Sequence, residues 1–132
     1  VTAWGQKGSG PGDLQDPHCL SIDSKGRLFV CDRRNDRVEI FDQSGHYVDA
    51  WKQFGRPSGI FITKDDTVYV AEQELGIIIG SAKDGSISAY VPTPIPPPGQ
   101  RRRGAESVTV DGSGNLYTGE IGAMKLMRYV KK

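Results

Sequence analysis

The chain is poor in most features that would assign it at a glance. It has 2 cysteines in 132 residues, too few for a disulfide scaffold, and no paired C-x-x-C metal pattern. No apolar run approaches the roughly 20 residues that span a bilayer, which excludes a transmembrane helix and a membrane role. No cationic stretch followed by an apolar one reads as a signal peptide, so the compartment stays open. The chain begins at Val1, which leaves room for a removed leader or a longer parent. Charge of one sign is also missing: 17 Lys and Arg stand against 16 Asp and Glu, a net charge of +1. Such a balance gives no global field for nucleic acid or anionic lipid. No window long enough for a helix keeps a 3.6-residue period free of Gly or Pro. There is no Gly-x-Ser-x-Gly elbow, phosphate loop or paired-histidine helix, so triad hydrolases and organic cofactors gain no support. What is plentiful is glycine, 17 residues, with 8 prolines and 36% apolar residues. One Gly-rich, all-β domain follows.

Internal repetition gives the architecture. Pro17 to Asp23 leading to Gly26-Arg-Leu-Phe-Val30, Pro57 to Ile62 leading to Thr67-Val-Tyr-Val70, and Ala105 to Asp111 leading to Gly114-Asn-Leu-Tyr-Thr118 align without forcing. Leu28, Val68 and Leu116 share one place, at spacings of 40 and 48. The longer spacing holds the proline-rich run 92–104, which suits an exposed connection and not a sheet interior. A period near 40 built of short strands is the pattern of β-propeller blades, each a four-stranded antiparallel sheet. In the first unit the strands are expected at about 18–23, 27–31, 37–42 and 47–52, with Leu20, Ile22, Leu28 and Val30 on one face. Cys19, Ser21, Phe29 and Cys31 take the other face. Both faces carry apolar groups, as a blade between two neighbours requires. The blade units span about 17–52, 57–91 and 105–130.

Val1-Thr-Ala-Trp4 resembles Val48-Asp-Ala-Trp51, so residues 1–4 are expected to be an outer strand that closes another blade. Three blades do not close a ring. The expected whole is therefore half of a six-bladed propeller. It would be completed by a second chain in a head-to-tail homodimer, or by a half lying elsewhere.

With the repeats aligned, the sequence resembles the NHL-repeat family of six-bladed propellers. The resemblance lies in Gly8-Ser-Gly-Pro-Gly12 before Pro17-His18, and in Ile22-Asp23, Gly26-Arg-Leu-Phe-Val-Cys-Asp-Arg33, Asn35, Arg37-Val38, Ile40-Phe-Asp42 and Gly45. Within that family it looks most like bacterial relatives of peptidyl-α-hydroxyglycine α-amidating lyase, which splits a hydroxyglycine-extended peptide into an amide and glyoxylate. The resemblance implies a channel zinc held by three histidines on the inner strands of alternate blades. His18 matches one of those ligands, Glu106 stands where another histidine is expected, and Arg33 matches a substrate-contacting arginine. The third histidine and the catalytic tyrosine would sit in blades preceding Val1.

A His and Glu set is acceptable zinc chemistry, but Ser58, at the corresponding place in the second unit, is a poor ligand. Asp32, Glu72 and Glu120 follow the second strand of each unit, and carboxylates of this kind would suit calcium, as in a lactonase-like hydrolase. A non-catalytic propeller binding a peptide, a protein or a small anion is the other reading. Arg34 and Arg37 are expected as solvated loop charges, and Asp32 and Asn35 as loop-fixing groups. Arg101-Arg-Arg103 reads as a solvated linker before it reads as an RNA-binding patch. The register puts Cys19 opposite Cys31, with two buried thiols expected in preference to a strained disulfide.

Overall fold

The computed structural model describes residues 1–94, 98–99 and 104–132. Its regular elements are antiparallel strands and a single 3-10 turn at Arg33–Asn35. The first sheet has the order β1 (Pro17–Ile22), β2 (Leu28–Asp32), β3 (Arg37–Phe41), β4 (Tyr47–Trp51). The second has β5 (Pro57–Ile62), β6 (Thr67–Glu72), β7 (Gly76–Ser81), β8 (Ile87–Pro92). The third pairs β9 (Ala105–Val110), β10 (Leu116–Glu120) and β11 (Lys125–Tyr129), with β11 at its open edge. The blade pattern expected from the repeat is therefore present, and the fold is a portion of a β-propeller. No helix of the described residues is long and apolar enough to cross a membrane. The Arg101–Arg103 linker expectation lies outside the described residues.

Turn chemistry sets the hairpins. Asp23 Oδ1 accepts the Lys25 and Arg27 N–H groups while Gly26 takes φ +79°, a conformation that costs glycine nothing. Asp111 repeats the device on Ser113 and Asn115, with Gly114 at φ +82°. The Asn115 amide and N–H hold the Asp111 carboxyl down at about 2.

The core lies between sheets. Phe29, Cys31, Val38 and Ile40 of the first sheet meet Ile60, Ile62, Val68, Val70 and Ile78 of the second, with Trp51 and Phe54 in the same cluster. Phe29 and Trp51 pack edge to face at 5.4 Å. A smaller cluster joins Ala71 and Ile77 to Ala105, Val108 and Leu116. The second sheet is thus buried on both faces, as the alternation predicts. The first and third are not: Leu20 is 69% exposed and Leu126 88%. Those faces have no neighbour within the chain.

Two expectations are corrected. Cys19 and Cys31 do lie opposite each other, but as a disulfide across a Cα–Cα distance of 5.1 Å rather than as thiols. Adjacent antiparallel strands bring the two Cβ atoms within bonding range once the register is fixed. Arg37 is no solvated loop charge; its side chain is 7% exposed. The segment Gly8–Asp13 wraps over it, and the guanidinium donates to Asp32 Oδ2 and to the carbonyls of Ser9, Gly10 and Asp13. Glu39 Oε1 lies 3.1 Å away. Every face of the guanidinium fork meets an acceptor, which is what burial of an arginine demands. Asp32 and Asn35 fix this loop as expected: Asn35 donates to Asp32 and to the Gly8 carbonyl.

Candidate functional site

Each innermost strand starts with an irregularity at one repeat position. The register skips His18 between Pro17 and Cys19, Ser58 between Pro57 and Gly59, and Glu106 between Ala105 and Ser107. An unpaired residue in a bulge turns its side chain off the sheet plane, a common device beside binding sites. Here it aims His18, Ser58 and Glu106 toward one end of the inner strands.

The structure brings together the three residues singled out from sequence. His18 Nδ1 is 2.7 Å from the Ser58 carbonyl oxygen, and a carbonyl only accepts, so Nδ1 carries a hydrogen. The other ring nitrogen, Nε2, then faces Glu106 Oε2 at 3.5 Å. Two lone pairs would repel at that distance, so the pair requires a proton or another cation between them. Arg33, on the 3-10 turn after β2, donates from Nε to Asp16 Oδ2 at 2.9 Å and from Nη1 to Glu106 Oε2 at 3.4 Å. Gln73 donates to Glu106 Oε1. The side chains of His18, Glu106 and Arg33 keep 30%, 18% and 22% of their surface exposed, so a ligand can reach a partly desolvated cluster.

Asp16 and Gln73 were not anticipated. The repeat carries the signal for Gln73, which stands at the place of Arg33 one unit later, each directly after the acidic end of its second strand. Asp16 has only its place beside Pro17 to mark it.

The zinc implied by the resemblance asks for three protein ligands. This chain offers two donors, His18 Nε2 and Glu106 Oε2, and the Arg33 guanidinium already lies against the second. The Ser58 hydroxyl is buried against the Ala71 and Ala105 carbonyls. Among the described residues no group of three or more His, Cys, Asp or Glu could hold a metal ion. The chain's own residues therefore do not fit a three-ligand zinc site, and no reaction step is derived through one.

The three carboxylates considered for calcium also stay apart in function. Asp32 accepts the Gln15 and Asp16 N–H groups as well as Asn35 and Arg37. Burial raises its pKa, but those donors outweigh it and hold the carboxyl below its ordinary value. Glu72 accepts the N–H groups of Arg56, Glu74 and Leu75, and Glu120 accepts the Thr118 hydroxyl. Each secures the loops of its own sheet.

Comparison with known proteins agrees with this architecture. Residues 14–41 match the NHL repeat. The chain is similar to NHL repeat-containing protein 3 of Homo sapiens, 28% identical over 96% of this chain and 38% of that protein. It is also similar to protein lin-41 of Caenorhabditis elegans, 42% identical over 36% of this chain and 4% of that protein. The chain thus spans about two fifths of the length of the first of these relatives. Among solved structures, a streptogramin B lyase aligns with TM-score 0.61 and 14% identity over 93% of this chain and 42% of that one. The Cps50 (Swd1) β-propeller domain of Myceliophteria thermophila aligns with TM-score 0.61 and 15% identity over 98% and 41%. At such identities the likeness establishes the fold alone. The chain is a β-propeller portion that carries an NHL repeat at residues 14–41.

Proposed function

We propose that this propeller portion is a binding module whose inner-strand end takes a carboxylate, at the terminus of a peptide or on a small organic anion. The observation that carries the reading is the meeting of His18, Arg33 and Glu106, from two non-adjacent sheets, within 3.5 Å of one another. Arg33 is oriented by Asp16 through Nε, which leaves its Nη edge toward Glu106. An arriving carboxylate replaces Glu106 at that edge and gains charge-assisted hydrogen bonds from Arg33 and, when it is protonated, from His18. The bond it displaces is long, so the exchange costs little.

The test is calorimetric titration with a short N-acetylated peptide, as free acid and as amide. The acid is expected to bind at least about tenfold more tightly, and Arg33→Gln to remove that preference, one charged hydrogen bond being worth roughly 1.5–3 kcal/mol. Equal affinity for acid and amide would refute the proposal.

A second reading, a metal-dependent lyase related to the amidating lyases, is favoured by the His18 tautomer. An imidazole whose Nδ1–H is given to a backbone carbonyl is set to present Nε2 to a metal. His18 and Glu106 would hold the zinc, with a third ligand from blades outside this chain, and Arg33 would grip the substrate carboxylate. Bound zinc polarises substrate oxygen and acidifies water. Stoichiometric zinc in the purified protein, lost in His18→Ala, supports this reading; calcium instead supports the lactonase-like hydrolase, and absence of either metal supports the binding module.

A further inference from the structure

The two uncovered sheet faces are of opposite kind, and the repeat says what each is made to meet. At the spacing of 40, Leu20, Ile22, Leu28 and Val30 of the first sheet correspond to Ile60, Ile62, Val68 and Val70 of the second. All four of the latter are buried against the first sheet. Their counterparts have nothing to pack on, and Leu20 and Ile22 are 69% and 50% exposed. On the third sheet, Tyr117, Leu126 and Arg128 occupy the places of Phe29, Val38 and Ile40, which form the other side of that same junction. The molecule therefore displays one unmatched half of its own internal junction at each end.

Residues 1–4 are already placed for such a union. Trp51 on β4 packs so closely on Gly85 of the next sheet that a Cβ there would lie 3.0 Å from its ring. Trp4 sits in the same way on Gly45, where a Cβ would lie 2.6 Å from the indole. Gly45 and Gly85 are turn glycines at φ +86° and +74°, 40 residues apart. Val1–Trp4 thus takes, against the first sheet, the position that β4 takes against the second, yet it pairs with no strand of its own chain.

Charge points the same way. Glu39 stands at the place of Ile78, on the uncovered side of β3, and its buried Oε2 has no hydrogen-bond partner among the described residues. Arg128 stands at the place of Ile40, exposed, with only the Tyr117 ring beneath its guanidinium. Where the internal junction has two isoleucines of one cluster, the outer faces carry opposite charges.

We propose that the occupant is a second copy of this chain. The third sheet of one protomer docks on the first sheet of its partner, and Val1–Trp4 of that partner pairs with β11 as a fourth strand. The contact is heterologous and occurs twice about a two-fold axis, so it closes as a six-bladed ring and leaves no free edge. Aligned propellers are covered to 41% and 42% by this chain, which leaves space in a ring for a comparable set of blades. This inference is independent of what the inner-strand end binds.

Light scattering across a concentration series tests it on the 132-residue chain as it stands. The expected mass is twice the 14.4 kDa of one chain. Leu20→Asp and Leu126→Asp, both at exposed positions of the single chain, are each expected to return it to 14.4 kDa with the far-ultraviolet circular dichroism unchanged. Ile87→Asp, on β8 and outside both faces, is expected to leave the dimer intact. A wild-type chain that stays at 14.4 kDa, or a dimer that survives Leu20→Asp and Leu126→Asp, overturns the proposal.

Discussion

Arg37 and Lys125 begin the third strand of the first and the third sheet, opposite Asp32 and Glu120 respectively, and they share little else. The arginine is buried and meets acceptors on every side, while the lysine is exposed. What differs is the cover. Gly8–Asp13 closes over the arginine, and its glycines let the chain turn its carbonyls inward; the third sheet has no such segment over it. One repeat position can therefore be a buried hub or a surface charge, and the neighbour decides which.

The comparison breaks most visibly at this pair. Arg37→Ala is expected to cost about 3–5 kcal/mol in urea unfolding, because it leaves the Asp32 and Glu39 carboxylates buried beside an empty space. Lys125→Ala should stay within about 0.5 kcal/mol. A similar contrast follows for the aromatics at the next register place. Phe29→Ala, in the first core, is expected to cost about 3–5 kcal/mol. Tyr117→Ala on the uncovered face should cost about 1 kcal/mol or less in the single chain, and more in the assembled ring.

The disulfide sharpens the contrast further, since only the first sheet has one. Reduction of Cys19–Cys31, checked by alkylation and intact mass, is expected to lower stability by roughly 2–4 kcal/mol through the entropy of the opened loop. The smallest effect is on pH. Burial raises the Glu39 pKa above 4.5 against the Gly12 N–H and Arg37 that lower it. The folded state then binds that proton more tightly, so this group's contribution rises as pH falls through the raised value toward 4.5. Asp32 acts oppositely: its depressed pKa contributes stability above 3.8 that is lost as pH falls below it. Unfolding midpoints between pH 3 and pH 7 should show both limbs, and Glu39→Gln should flatten only the upper one.

The strands and their register were legible because the repeat fixes them three times over, and β11 falls where the third unit requires it. The site was legible for the same reason: positions 18, 58 and 106 are one position, and the bulge that aims them recurs. Arg37 was not, because its acceptors are backbone carbonyls of the Gly8–Asp13 segment, and carbonyls leave no mark in a sequence. The disulfide was half legible. Opposition of Cys19 and Cys31 follows from register, whereas the oxidised bond is a matter of chemistry that pairing alone does not decide.

The account rests on the ring of His18 lying between the Ser58 carbonyl and the Glu106 carboxylate. Long-range proton–nitrogen NMR on labelled protein reads it directly. A hydrogen on Nδ1 across the titration, with an Nε2 signal that moves in Glu106→Gln, is the predicted result; a bare Nδ1, or an Nε2 indifferent to that substitution, would contradict it.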